Sequence, residues 1–152
     1  MTPEEKLKAL GIELPDVPRP LGSYVSYVRT GNLVYLSGML PLKDGKLTKT
    51  GKVGESVTLD EAVTDSRIAA INALAVLSSA IGTLDKVRRC VKVTGFIASA
   101  EDFTEQPRVL NGASDLMFEV FGESGRHSRA AVGVNVLPMN SPVEIEFIFE
   151  VL

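Results

Sequence analysis

The stretch GRHSRAAVGVNVLP, residues 125–138, carries the chain's one histidine, His127, between Arg126 and Arg129, directly before a run of small and β-branched residues. A guanidinium there offers two parallel donors that match the two oxygens of a carboxylate. Arg129 is therefore either a ligand contact or a solvated charge where a loop enters a strand, and both readings stand at this point. His127 titrates near neutrality, which suits a general base. Its two-residue offset from Arg129 puts both side chains on one strand face if the strand begins that early; otherwise it is a loop histidine at the rim of a cleft. A second set of charges lies in VEIEFIFEVL, residues 143–152. Alternation sends Val143, Ile145, Phe147, Phe149 and Val151 to one face and Glu144, Glu146, Ile148 and Glu150 to the other, so one face is core and the other is lined with carboxylates. In the preceding run Val132, Val134 and Val136 share a face, and Arg129, Ala131, Gly133 and Asn135 share the opposite one, where small side chains beside an arginine leave room for a ligand. Cys90, the only cysteine, sits mid-strand without a histidine nearby in sequence and reads as a buried thiol rather than a nucleophile.

The elements that must hold these groups follow from local signals. A short helix is expected near residues 3–10, then an extended connector, LPDVPRP (14–20), because each proline fixes its own φ and biases the residue before it. SYVSYVRT (23–30) and LVYLSGML (33–40) are β-rich runs flanking Gly31-Asn32, a hairpin signal. Residues 41–57 read as loop with a short strand at most. Thr58 and Glu61 match a capping box, and apolar residues at 59, 62, 63, 70, 74, 77 and 81 keep helical spacing up to Gly82. A strand over 87–99 follows, then a helix from about 105 to 121 with Pro107 in its first turn and Gly122 past its end. Strands at 130–137 and 143–152 complete an α+β domain whose two main helices cover one face of a mixed sheet.

The 152 residues fit one domain, with residues 1–20 as helix and connector. Hydrophobic residues make up 45% and charged residues 23%, as in soluble globular proteins. A net charge of −3 argues against a broad nucleic-acid surface, which would carry a basic excess. No Cys/His set has zinc-site spacing, the N-terminus lacks the apolar core of an export signal, and the most apolar stretch, 68–82, is too short to span a bilayer. A cytoplasmic, metal-free protein with no membrane contact is expected.

Taken together, GSYVSYVRTGNLVYLSG, the VLN of residues 109–111, and SRAAVGVNVLP followed by VEIEF resemble the RidA family of imine deaminases, also called YjgF-like and formerly endoribonuclease L-PSP. The resemblance covers most of residues 20–152. It implies a chorismate-mutase-like fold and a homotrimer whose sheets line a central barrel, with ligand clefts between subunits. It also implies that Arg129 holds the substrate carboxylate and Glu144 positions the attacking water. Tyr24, Ser37, Gly38 and Asn111 fall on pocket positions. Two departures bear on the pocket: Ala131 stands where many members have a cysteine, and Met39 where many have glutamine.

The activity so implied is hydrolysis of small 2-imino or enamine acids to 2-keto acids and ammonia, without cofactor. A trimer that binds small carboxylates without turnover, and an endoribonuclease, are the alternatives; the acidic chain lacks the basic aromatic surface the latter calls for. Two structural expectations complete the reading. The face carrying Ala131, Gly133 and Asn135 is expected to lie open and to be covered by other subunits. If 130–137 and 143–151 form a hairpin around LPMNSP, Glu144 lies on the order of 20 Å from Arg129 at roughly 3.3 Å per residue. A small imino acid then needs one of the two from a neighbouring subunit.

Overall fold

Thr58 Oγ1 accepts from the Glu61 amide at 3.1 Å while the Glu61 carboxylate accepts from the Thr58 amide at 3.0 Å. This closed box starts the longest element, helix α2 (Leu59–Ile81), which stops at Gly82, where φ is +90°. In the computed structural model, which describes residues 1–17, 19, 20 and 22–152, α2 is preceded by α1 (Pro3–Ala9), the hairpin strands β1 (Tyr27–Thr30) and β2 (Leu33–Leu36), and the short pair β3 (Leu42–Lys43) and β4 (Lys46–Leu47). Pro18, within the expected connector, and Leu21 lie outside the described residues. After α2 come β5 (Val87–Ala98), α3 (Gln106–Phe121), β6 (Ser128–Val134) and β7 (Val143–Val151). The Gly31-Asn32 turn joins β1 to β2 with Thr30 opposite Leu33, as the turn signal requires.

The sheet order is β1-β2-β7-β5-β6, antiparallel except for the parallel pair β5 and β6. Parallel neighbours need a crossover, and α3 supplies it. Strands β6 and β7 are therefore not a hairpin: β5 lies between them, because its long apolar run pairs with both. The expected hairpin around LPMNSP, and the separation built on it, are corrected on this point.

Both main helices pack on one face of the sheet. Phe147 and Phe149 of β7, stacked with ring centroids 5.9 Å apart, are buried together with Leu74 and Leu77 of α2 and Leu110, Leu116 and Met117 of α3. The helices approach closely at Gly112, where a side-chain Cβ would run into the Val63 carbonyl and sit 3.1 Å from the Arg67 amide nitrogen. Cys90 is buried in this core, and burial pushes its thiol up to about 12.

The other sheet face is bare. In β7 the split is as alternation demands: Val143, Ile145, Phe147, Phe149 and Val151 are buried, and Glu144, Glu146, Ile148 and Glu150 are not. In β6 the expected assignment is reversed. Ala131 packs against the core, Gly133 faces Ser99 and Gln106, and Arg129 runs along α3, so their face is the helix-covered one. The valine face is the open one, and Val132 is 42% exposed. Tyr35 and Val28, paired across β1 and β2, are exposed on the same open face.

Candidate active site

Helix α3 presents Pro107, Asn111 and Ser114 along one stripe, four and three residues apart, and that stripe faces the first residues of β6. Arg129 lies along it. Its Nη1 donates to Asn111 Oδ1 at 2.9 Å and to Ser114 Oγ at 3.1 Å, and Nη2 donates to the Pro107 carbonyl at 3.2 Å. A guanidinium has five N–H donors, so among the described residues these three bonds leave the Nε hydrogen and one on Nη2 unused; with the Pro107 carbonyl on the Nη2 hydrogen that points away from Nε, the two lie on one edge of the plane. That edge is the pair of parallel donors a carboxylate takes. Arg129 is exposed but not loose, because a regular helix fixes it at three points.

The cleft around it holds about 410 Å³ and is lined by Asn111, Ser114, Asp115, Phe118, Arg126 and His127 in addition to Arg129. Strand β6 begins at Ser128, so His127 belongs to the loop, yet it lines the same cleft as Arg129. Its Nδ1 is 2.6 Å from the Gly125 carbonyl and its Nε2 is 2.9 Å from Ser114 Oγ. Burial lowers its pKa below the ordinary histidine value, the Gly125 carbonyl opposes that, and the Arg129 charge adds to it. Arg126 stacks over the Phe118 ring at 4.4 Å and pairs with Glu123, whereas among the described residues Arg129 is hydrogen-bonded by neutral groups alone.

Tyr24, Ser37 and Gly38 gather elsewhere, around a small hollow of about 120 Å³ shared with Ser26, Met39 and Met139. Ser37 Oγ donates to the Val25 carbonyl at 2.6 Å, and this ties the end of β2 to the segment before β1. Beyond β2 the chain stays paired through Met39 and Ile145, with N–O distances of 2.7 and 3.0 Å. This pairing lays Gly38 against Glu144, and a Cβ at Gly38 would overlap the Glu144 carboxylate. Glu144 is half-buried. Burial first, and Glu146 on the same face second, raises its carboxyl above the usual carboxylate range.

Two groups of residues thus form, one around Arg129 and Asn111, one around Tyr24, Ser37, Gly38 and Glu144. Arg129 aligns with Val93 and so with Phe147, while Glu144 aligns with Phe96, three positions along. Three residues and two strand spacings put their Cα atoms about 14 Å apart, rather than the 20 Å expected from a hairpin. The two side chains also leave opposite faces of the sheet. Ala131 is on the Arg129 face but packs on the core. Sequence reasoning missed Ser114, which lies one turn beyond Asn111 and would have been found by extending the helical stripe by three.

A larger hollow, about 560 Å³, lies beside Leu42 and Asn72, but its lining of Glu13, Asp16 and Asp44 repels a carboxylate. Among the described residues no cluster of His, Cys, Asp and Glu could hold a metal ion, and no helix is long and apolar enough to cross a membrane.

Residues 4–151 match the family described as "YjgF/chorismate_mutase-like, putative endoribonuclease". "Protein TCP17" of Trypanosoma cruzi is 44% identical over 145 residues, 95% of this chain and 91% of that protein. The "2-iminobutanoate/2-iminopropanoate deaminase" of Dermatophagoides farinae is 36% identical over 137 residues, 90% of this chain and 92% of that protein. A crystal structure of a protein of unknown function from Agrobacterium tumefaciens superposes with a TM-score of 0.92 at 45% identity, covering 99% of this chain and 92% of its own. The α+β, chorismate-mutase-like fold is therefore the one this sequence adopts.

Proposed function

The chain belongs to the YjgF/chorismate mutase-like family, and we propose that it acts as a hydrolytic deaminase of small 2-imino and enamine acids, releasing the 2-keto acid and ammonia. The observation that carries this reading is the Arg129 guanidinium, held by Pro107, Asn111 and Ser114 with one N–H on Nε and one on Nη2 left over. A 2-imino acid bound by its carboxylate to that edge has its electrophilic carbon one bond further out. Water, oriented by Glu144, adds to the carbon of the protonated imine as one of its protons passes to the Glu144 carboxylate, which gives a carbinolamine bearing OH and NH2. Glu144 returns that proton to the nitrogen as the C–N bond breaks and ammonia leaves, and the hydroxyl proton passes to the departing ammonia, so that the oxygen becomes the ketone and the nitrogen ends as ammonium. Burial raises the Glu144 carboxyl above the usual carboxylate range, which makes it a better acceptor of the water's proton than an ordinary carboxylate. Imines are electrophilic already, so orientation of substrate and water supplies most of the catalysis and no cofactor is called for.

Arg129 and Glu144 leave opposite faces of one sheet, about 14 Å apart, so no small substrate spans both in one chain. The reading therefore takes the cleft to be shared, with Arg129 and Asn111 from one copy and Glu144, Tyr24, Ser37 and Gly38 from its neighbour in a homotrimer. The bare sheet face, with Val28, Tyr35 and Val132 exposed, is the surface such a trimer would bury.

The test is ammonia release from freshly generated 2-iminobutanoate. Homotrimers of Arg129→Ala and of Glu144→Ala are expected to be inactive, whereas trimers formed from a 1:1 mixture of the two regain about a quarter of their clefts, one half times one half, if each cleft draws on two subunits. No recovery in mixed, folded trimers refutes the shared cleft. Keto-acid binding without ammonia release replaces the deaminase with a carboxylate-binding protein.

A further inference from the structure

The contacts behind Arg129 have a direction. The Gly125 carbonyl can only accept, so His127 Nδ1 carries the proton in their 2.6 Å bond. A neutral ring then leaves Nε2 as an acceptor, 2.9 Å from Ser114 Oγ. Arg129 Nη1 can only donate, so at 3.1 Å it gives its hydrogen to Ser114 Oγ, and the hydroxyl proton turns to His127 Nε2. Each group thus has one available role.

We infer that Ser114 and His127 are positioning residues for the guanidinium: a one-way chain from Arg129 Nη1 through Ser114 Oγ to His127 Nε2, anchored on the Gly125 carbonyl, sets which edge of Arg129 faces the ligand. The inference rests on the reading of Arg129 as the carboxylate anchor. Asn111 and Pro107 by themselves would hold Nη1 and Nη2 from one side and leave the plane free to tilt about the side chain's long axis. Ser114 adds the third point that fixes a plane, and His127 keeps the serine hydroxyl in the one rotamer that leaves a lone pair for Nη1. The half-buried ring is kept neutral at neutral pH, since burial and the Arg129 charge both disfavour imidazolium. Among the described residues the ring's hydrogen bonds go to Ser114 Oγ and the Gly125 carbonyl and none to Arg129, so its hold on the guanidinium runs through Ser114.

The experiment combines kinetics, binding and NMR on the intact protein. Ser114→Ala and His127→Ala are each expected to raise KM for 2-iminobutanoate, and the Kd of 2-oxobutanoate by calorimetry, by about 3- to 10-fold with kcat little changed, the worth of one net hydrogen bond. Ser114→Thr, which keeps the hydroxyl, and His127→Gln, whose side-chain oxygen can accept from it, should restore both constants. Because His127 acts through Ser114, the Ser114→Ala/His127→Ala double variant should be no weaker than Ser114→Ala alone. His127 is the only histidine, so its ¹⁵N spectrum is unambiguous and should show a protonated Nδ1 and an unprotonated Nε2 at neutral pH. A ring protonated on Nε2, additive effects of the two substitutions, or unchanged KM and Kd in folded Ser114→Ala and His127→Ala overturns the chain. If Arg129→Ala binds 2-oxobutanoate as well as the native protein, or the native protein does not bind it at all, the carboxylate-anchor reading fails instead, and the ¹⁵N spectrum tests the chain's direction independently.

Discussion

Substituting Gly38 by alanine should disable turnover while leaving the fold intact. Gly38 does not have a positive φ, so its backbone accepts a side chain without strain. The obstacle is Glu144: the new methyl would overlap its carboxylate oxygen and stand 2.9 Å from its Cδ and 3.1 Å from its Cγ. The backbone cannot give way easily, because the Met39–Ile145 bonds of 2.7 and 3.0 Å clamp the two segments beside the contact. Relief therefore falls on the Glu144 side chain, which must leave its rotamer at a cost of about 0.5–1.5 kcal/mol. For a chain of this size that lowers Tm by about 1–6 °C. The displaced carboxylate moves by about 1 Å, and a misplacement of that size costs on the order of 100-fold in rate. The assay is ammonia release from 2-iminobutanoate beside a thermal melt and a light-scattering mass. A folded Gly38→Ala protein of unchanged mass with native kcat/KM would refute the assignment of Glu144 to the reacting water.

Three further outcomes are expected. Arg129→Lys keeps a charge but cannot hold three helix partners and still offer two parallel donors, so 2-oxobutanoate binding should weaken about 10- to 100-fold, roughly 1.4–2.8 kcal/mol by calorimetry, with Tm nearly unchanged. Asp65 is buried on α2 with Oδ2 unpaired among the described residues, and burial raises its pKa. The folded state therefore holds the proton more tightly than the unfolded chain, and stability falls as pH rises from about 4 through the raised value. Asp65→Asn should raise the urea midpoint by about 1 kcal/mol equivalent at pH 7 and lose that advantage below pH 4, as paired urea melts will reveal. Cys90, with its thiol pushed up to about 12, should not react with a thiol reagent at pH 8 until the protein is denatured.

Local chemistry was legible in the residues themselves. The Thr58–Glu61 box, the Gly31-Asn32 turn, Pro107 in the first turn of α3 and the alternation of β7 all act over a few residues, and each appears in the fold where its spacing puts it. Asn111 beside Arg129, and Tyr24, Ser37 and Gly38 near Glu144, were nameable only through the family resemblance of several short segments read together, and Ser114 was not named at all. The relations between segments were not legible. That β5 inserts between β6 and β7 depends on which strands find each other across the chain, and hydrogen-bond pairing carries no mark in either strand's own sequence. The two faces of β6 were separable by their period of two, but nothing local says which face a helix will cover. Valine marked one face and alanine and glycine the other, and here the small residues lie under α3 because a helix can approach a strand closely only where side chains are short. Ser114 and His127 meet for the same reason: thirteen residues apart in the chain, they become neighbours only once α3 has crossed over the sheet and brought its stripe down onto the start of β6.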